Sequence, residues 1–276
     1  MSDKPFFICG PCVIETKQIT LDTAKRLAEI AAKLSVKLMF KVSWAKMNRT
    51  SLTGYRGVCV EYACEVFDEV RQQANLPVTT DIHSVKDVFS VRHSVDCLQV
   101  PALLSRQTDI LESVAKYPAC ATIKKGPFIA PHDIRPVVEK VLAKNDKAQV
   151  AIIERGTTFG YNDNVVDFRG FKIMSDLTAD LGTPIVFDCT HTVQRPSLRG
   201  DSSGGDRQLV APLARAAAAT GYCDGYFLET HPNPDAALCD GPCMVPLDNM
   251  EHMLKSIIGA HRYGIADVAR HSRPLW

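Results

Sequence analysis

The chain has 276 residues, of which 46% are hydrophobic and 23% charged, and a formal net charge of +1. That length holds one large domain or two small ones, and the composition is ordinary for a soluble globular protein. The near-zero charge argues against bulk nucleic-acid binding, and no apolar run reaches the ~18 residues of a membrane-spanning helix. The start, Met1-Ser-Asp-Lys-Pro-Phe-Phe-Ile, lacks the pattern of a signal peptide, so a cytoplasmic location is expected. The expected partners are small molecules, with neither nucleic acid nor membrane among them.

Ten cysteines are many for such a chain. Most sit in apolar contexts, where a free thiol packs as a small hydrophobe. Cytosolic thiols stay reduced, so no disulfide framework is expected. Cys9-x-x-Cys12 and Cys239-x-x-x-Cys243 match structural zinc spacings only loosely.

Taken in order, Phe6-Phe-Ile-Cys reads as a short strand closed by Gly10-Pro11, and helical spacing follows over 20–34. A strand over 37–43 opens into a polar loop, and a helix is predicted over 58–73. Leu76-Pro-Val-Thr-Thr-Asp81-Ile-His83 is a strand ending in Asp and His, followed by a short helix over 84–92 with Ser84 at its N-cap. The next strands are expected at 96–101, 119–126 and 149–156, and the helices between and after them at 105–115, 131–143 and 171–180. Thr183-Pro-Ile-Val-Phe-Asp188-Cys-Thr-His191 is an apolar run that ends abruptly in reactive groups. The glycine-containing loop from Arg195 to Arg207, a helix over 208–220, a last strand over 225–231 and a helix capped by Asp248 complete the chain.

This alternation shows no composition shift and no linker. It predicts an α/β fold with a parallel sheet. Eight strand–helix units in this length fit an eightfold βα (TIM) barrel as a single domain over 1–276. An open doubly wound sheet is the alternative, but no Gly-x-Gly-x-x-Gly follows the first strand.

In such a barrel the C-terminal rim carries Cys12, Lys41, Lys46, Asn48, Arg49, Asp81, Gln99, Lys124, Arg155, His191, Glu229 and Asp240. Ligand chemistry in these barrels gathers at that rim. Lys41, Lys46, Arg49, Lys124 and Arg155 suit an anionic, phosphate-bearing substrate. Cys12, His191, Glu229 and Asp240 form a mixed sulfur, nitrogen and oxygen set that suits a divalent ion such as Zn²⁺, Fe²⁺ or Mn²⁺. They read equally well as a buried thiol, a hydrogen-bonded imidazole and two ordinary acids, and spacing alone does not separate the two readings.

Motifs carry the argument further. Gly10-Pro-Cys12-Val-Ile-Glu15, Phe40-Lys41-x-Ser43, Lys46-x-Asn48-Arg49-Thr-Ser51, Thr80-Asp81-x-His83 and Gln99-Val-Pro101-Ala102 occur in this order. Arg106-Gln-Thr-Asp109, Lys124-Lys125, Arg155-Gly156-x-x-Phe159-Gly160, Asp188-x-Thr190-His191, Ser203-Gly204-Gly205 and Glu229-Thr-His231-Pro follow. The chain resembles the 3-deoxy-D-manno-octulosonate 8-phosphate synthases over nearly its whole length.

The resemblance implies a condensation of phosphoenolpyruvate with D-arabinose 5-phosphate and water, feeding lipopolysaccharide synthesis, in a barrel that forms a homotetramer. It implies that Lys41, Lys46, Lys124 and Arg155 hold phosphoenolpyruvate, with Ser43, Gln99 and Ala102 lining that pocket. Asn48, Arg49 and Thr50 would bind the sugar phosphate, aided by Arg106 from a neighbouring subunit, and Asp81 would face the sugar hydroxyls. Cys12, His191, Glu229 and Asp240 would ligate the metal, and the loop from Arg195 to Arg207 would close over the site.

The chain departs from the family pattern in places. Cys12 matches the metal-dependent members, whereas Cys239-Asp240-Gly241-Pro242 looks like the metal-independent form of that loop. Pro127, Met47 and Thr50 also replace the usual residues. Rival readings are the sister synthase acting on erythrose 4-phosphate, a Schiff-base aldolase built on Lys124 or Lys41, and a non-catalytic sugar-phosphate sensor.

Overall fold

The computed structural model describes residues 4–48, 52–116, 120–161, 163–195, 204–266 and 268. Arg49, Thr50 and positions 196–203 of the glycine-containing loop lie outside the described residues.

The strands are β1 (Phe6–Gly10), β2 (Leu38–Lys41), β3 (Val78–Asp81), β4 (Cys97–Val100), β5 (Cys120–Lys124), β6 (Gln149–Glu154), β7 (Ile185–Asp188) and β8 (Gly225–His231). Each pairs in parallel with the next. The ring closes where β8 pairs with β1, from Phe6↔Gly225 to Gly10↔Glu229. This is the closed eightfold βα barrel that the alternation predicted.

The helices after these strands are α1 (Lys17–Leu34), α2 (Val60–Ala74), α3 (Val85–Val91), α4 (Thr108–Val114), α5 (Arg135–Leu142), α6 (Arg169–Leu177), α7 (Val210–Ala219) and α8 (Met250–Ala266). Thr16 caps α1 by accepting from the Ile19 N–H, and Ser84 forms a capping box with Asp87 at the start of α3. Several expected helix starts move; position 131, for example, opens a 3-10 turn over Pro131–Asp133, and α5 begins only at Arg135. Ser105 follows a 3-10 turn over Ala102–Leu104, and extended Gln107 delays α4 to Thr108. Asp248 lies inside a 3-10 turn, Leu247–Asn249, that runs into α8 and does not cap it.

Strand residues alternate between the barrel interior and the helix layer, because successive side chains point to opposite faces. Phe7, Cys9, Phe40, Leu98, Ile123, Ile152, Phe187 and Tyr226 face outward and join one core with the helices. The opposite parity holds a second, smaller core of Phe6, Ile8, Met39, Cys97, Cys120, Ala151, Ile153, Val186 and Phe227. Lys41, Asp81, Gln99, Lys124, Asp188 and Glu229 share that inward parity, nearer the C-terminal strand ends. The same alternation that fills the lower barrel with apolar groups therefore fills its upper mouth with charge.

The mouth depends on close strand approach at Gly10. A methyl group built there would run into the backbone carbonyl of Lys41 on β2. Gly10→Ala is expected to lower stability by about 1–3 kcal/mol through overpacking. The urea midpoint should fall with an unchanged m value; an unchanged midpoint would show that the strands have room to spare.

Candidate active site

Lys41 is almost wholly buried, and a buried ammonium costs several kcal/mol unless it is paired. Its Nζ donates to Ser43 Oγ at 2.7 Å and lies 3.4 Å from Asp81 Oδ2 and 3.5 Å from Glu229 Oε1. Burial alone would lower the Lys41 pKa, but Asp81 and Glu229 outweigh it and hold the value above the ordinary lysine range. Ser43 Oγ in turn donates to Asp81 Oδ2 at 2.6 Å, and Gln99 Nε2 donates to Asp81 Oδ1. Burial opposes ionisation of Asp81, yet Lys41, Lys46 and Lys124 together keep its carboxyl well below the usual carboxylate range.

Lys46, on the loop after β2, lies 3.7 Å from Asp81 Oδ2. Burial and then the charge of Lys41 push its pKa down to about 8, against the pull of Asp81. Lys124 sits across the mouth, 2.9 Å from Asp188 Oδ2. Its Nζ stands 3.9 Å from the centroid of the Phe227 ring, and Lys41 stands 5.8 Å from the same ring. Phe227 is thus an aromatic floor under two cations, an arrangement whose attraction grows when it is desolvated.

The other side of the mouth collects metal-type donors. His191 Nε2 lies 3.7 Å from Glu229 Oε1 and 3.8 Å from Asp240 Oδ2. His191, Glu229 and Asp240 each offer one ligand atom, all within 4.8 Å of one another. Asp188 accepts the other imidazole nitrogen, Nδ1, at 2.9 Å, and its Oδ1 also takes the His191 backbone N–H at 2.8 Å. This bond fixes the ring so that Nε2 faces the two carboxylates, as an outer carboxylate does for a metal-ligating histidine. Burial would raise the Asp188 pKa, but His191 and Lys124 hold it well below the carboxylate range. Glu229 Oε2 is buried without a hydrogen-bond partner, the kind of orphan that a cation satisfies. The donor set therefore fits a divalent ion.

Cys12 approaches the same cluster, with Sγ 3.0 Å from Asp240 Oδ2. The structure departs here from the expectation of free thiols, because Cys12 is paired in a disulfide with Cys239, 227 positions away. Their Cα atoms are 6.4 Å apart, within normal disulfide span. As a disulfide Cys12 offers no thiolate, so a metal bond from this sulfur requires the reduced pair. Cys9 belongs to the outer core and burial pushes its thiol up, so Cys9-x-x-Cys12 is not a metal pair.

Cys12, Lys41, Ser43, Lys46, Asp81, Gln99, Lys124, His191, Glu229 and Asp240 thus form one contiguous group. Arg155 joins it through Gln194, whose Oε1 accepts from Nη2 at 3.3 Å and whose Nε2 donates to Asp240 Oδ1 at 2.8 Å. Asn48 is exposed on the loop after β2, and Ala102 is half-buried just past β4. Arg106 is exposed ahead of α4. Arg49 and Thr50 are outside the described residues. Asp188 and Gln194 stand among the reactive groups that end the apolar run 183–194, and Cys239 stands in a loose zinc-type spacing, but the sequence assigns none of them a specific role, and it singles out Phe227 in no way. Asp188 stands three residues before His191, which opens a 3-10 turn over His191–Val193. A groove between α7 and α8, lined by Arg215, His252 and Met253, is on the outer flank and holds none of these groups.

The model of the DAHP synthetase I family matches residues 2–262. A 2-dehydro-3-deoxyphosphooctonate aldolase of Xanthomonas oryzae pv. oryzae is 48% identical over 93% of this chain and 91% of its own length. The aldolase of the same name from Stenotrophomonas maltophilia is also 48% identical, and that of Xanthomonas campestris pv. campestris is 47% identical, with the same coverage. The chain belongs to the 2-dehydro-3-deoxyphosphooctonate aldolases within the DAHP synthetase I family. On this aldolase barrel, paired carboxylates hold the cations in place before any ligand arrives.

Lys46 gives the aldolase site a pH dependence with a definite sign. Its charge is present below a pKa of about 8 and lost as pH rises through it. On the reading proposed below, in which Lys46 grips phosphoenolpyruvate, affinity for that ligand should fall above pH ~8, and Lys46→Arg should move the fall upward by more than about one unit. Calorimetric titrations from neutral to alkaline pH check this; a flat profile would contradict it.

Proposed function

We propose that this chain condenses phosphoenolpyruvate with D-arabinose 5-phosphate and water, releasing 3-deoxy-D-manno-octulosonate 8-phosphate and inorganic phosphate. The observation that carries the reading is the mouth itself, where Lys41, Lys46 and Lys124 converge beside Asp81, Asp188 and Glu229. Phosphoenolpyruvate and a sugar phosphate repel each other, and converging cations lower that repulsion while fixing both in reacting range.

In the reaction, C3 of phosphoenolpyruvate bonds to the aldehyde carbon, whose oxygen takes up a proton. Water adds at C2, and phosphate leaves from C2 as the ketone forms. Lys41, Lys46, Lys124 and Arg155 grip the carboxylate and phosphate of phosphoenolpyruvate, and Ser43, Gln99 and Ala102 line its pocket. Asn48, Arg49 and Thr50 hold the sugar phosphate, and Asp81 faces the sugar hydroxyls. A divalent ion, Zn²⁺, Fe²⁺ or Mn²⁺, is held by reduced Cys12 with His191, Glu229 and Asp240. When bound it supplies a Lewis acid for the aldehyde or the water.

The chain works as one barrel domain in the cytoplasm and as a homotetramer, with Arg106 of one subunit reaching the sugar phosphate of the next. Leu103, Phe128 and Phe159 are large, exposed apolar side chains that support a contact between subunits. No helix among the described residues is long and apolar enough to cross a membrane.

Phosphate release tests the reading. Reduced, metal-supplied protein should release phosphate from phosphoenolpyruvate only when D-arabinose 5-phosphate is present, and a chelator should remove most of the activity. A clear preference for erythrose 4-phosphate would select the sister reaction. Borohydride trapping of substrate on Lys124 or Lys41 would select a Schiff-base aldolase. Full activity with chelator would remove the metal from the proposal.

A further inference from the structure

Gln194 follows the 3-10 turn of His191–Val193 in an extended conformation, and its backbone pairs with Gly205 in a two-residue ladder. Its side chain is half-buried between two groups of opposite charge. Nε2 donates to Asp240 Oδ1 at 2.8 Å, and Oε1 accepts from Arg155 Nη2 at 3.3 Å. The orientation of the amide follows from chemistry. An ionised carboxylate can only accept and a guanidinium can only donate, so the NH₂ end must face Asp240 and the oxygen must face Arg155. No charged side chain serves both ends. A glutamate would oppose Asp240, and a lysine would oppose Arg155.

The bond also divides the two oxygens of Asp240. Oδ1 is held by Gln194, while Oδ2 faces Cys12 at 3.0 Å and His191 Nε2 at 3.8 Å. Asp240 itself has φ of 51°, in the left-handed region. A residue other than glycine persists there only when its surroundings hold it. The Gln194 amide is one such hold, and Arg207 braces the same loop by donating to the Gly241 carbonyl at 2.8 Å. On the other side, the Gln194 backbone carbonyl accepts from Asn164 Nδ2 at 3.5 Å, on the arm of a hairpin that begins just after Arg155.

We propose that Gln194 is a positioning residue that couples the metal-side carboxylate Asp240 to the phosphate-side cation Arg155. The inference rests on the reading above, in which Asp240 ligates the ion and Arg155 grips phosphoenolpyruvate. Ordering either end of the Asp240–Gln194–Arg155 chain orders the other. Phosphoenolpyruvate therefore tightens metal binding, and by reciprocity the metal tightens phosphoenolpyruvate. The sugar phosphate has no part in this chain and is bound independently of it.

The test compares the full-length reduced protein with Gln194→Met, which keeps the length of the side chain and removes both its donor and its acceptor. Zn²⁺ affinity is measured by competition with a chromophoric chelator, with and without phosphoenolpyruvate, and KM is measured for each substrate. In the wild type phosphoenolpyruvate should raise Zn²⁺ affinity about tenfold, and the variant should lose most of that enhancement. The KM for phosphoenolpyruvate should rise about tenfold while that for D-arabinose 5-phosphate stays within about twofold. A variant with the wild-type enhancement and wild-type KM values would overturn the proposal. So would equal losses for both substrates with a lower melting temperature, which signify general loosening. A wild type that binds no phosphoenolpyruvate at all would instead sink the functional reading, and this inference with it.

Discussion

The pairing of buried ammonium groups with buried carboxylates in the closed mouth of the barrel is the constraint from which the rest follows. Lys41 and Glu229 are both essentially inaccessible to solvent, and so is Asp188 beneath Lys124. Removing one member of such a pair typically costs about 3–5 kcal/mol, because the other is left charged and dry. The carboxylates must therefore be present before any substrate is, and they occupy the space beside the cations. They also do a second task. Asp188 fixes the His191 ring, and Glu229 presents an unpartnered oxygen to the same cluster. The cluster of cations and the cluster of metal-type donors thus share their walls.

This sharing explains why the two halves of the mouth are not independent. Glu229 touches Lys41 on one side and faces His191 on the other. Asp188 stands between Lys124 and His191 in the same way. Phe227 supports both halves from below, within 5.8 Å of the Lys41 ammonium and of the His191 ring centroid. Its apolar face excludes water under the charges, where their mutual attraction is screened least. The disulfide of Cys12 and Cys239 ties the loop after β1 to the loop after β8 at the edge of this group.

Much of this was legible in the chain before its structure. Apolar runs ending in Lys41, Asp81, Lys124 and Asp188 announce buried strands whose ends are reactive, and alternation along each strand then decides which groups face inward. The barrel and the gathering of these side chains at one mouth follow from those two periodicities. What was not legible depends on register or on distant contacts. Cys12 meets Cys239 only because β8 closes the ring against β1. Gln194 is legible as a polar group just past a buried strand, but its two partners, Arg155 and Asp240, lie 39 and 46 positions away and leave no local pattern. The hairpin of Thr157–Phe159 with Asp163–Val165 carries no strand signal in the sequence, since its short arms lack an apolar run and it lies outside the barrel sheet. The start of α4 moved for a similar reason, because a 3-10 turn after Pro101 satisfies the same residues.

The central claim is that Lys41 is an ammonium ion in the free protein, held so by Asp81 and Glu229 despite its burial. Nitrogen NMR of the lysine Nζ groups reads this directly, with the Lys41 resonance assigned by its loss in Lys41→Arg. The resonance should keep the ammonium position as pH is raised past the ordinary lysine value, and should shift while remaining an ammonium when phosphoenolpyruvate is added. A neutral amine at Lys41 near neutral pH would contradict the claim, because the mouth would then lack the charge that the proposed grip on phosphoenolpyruvate requires.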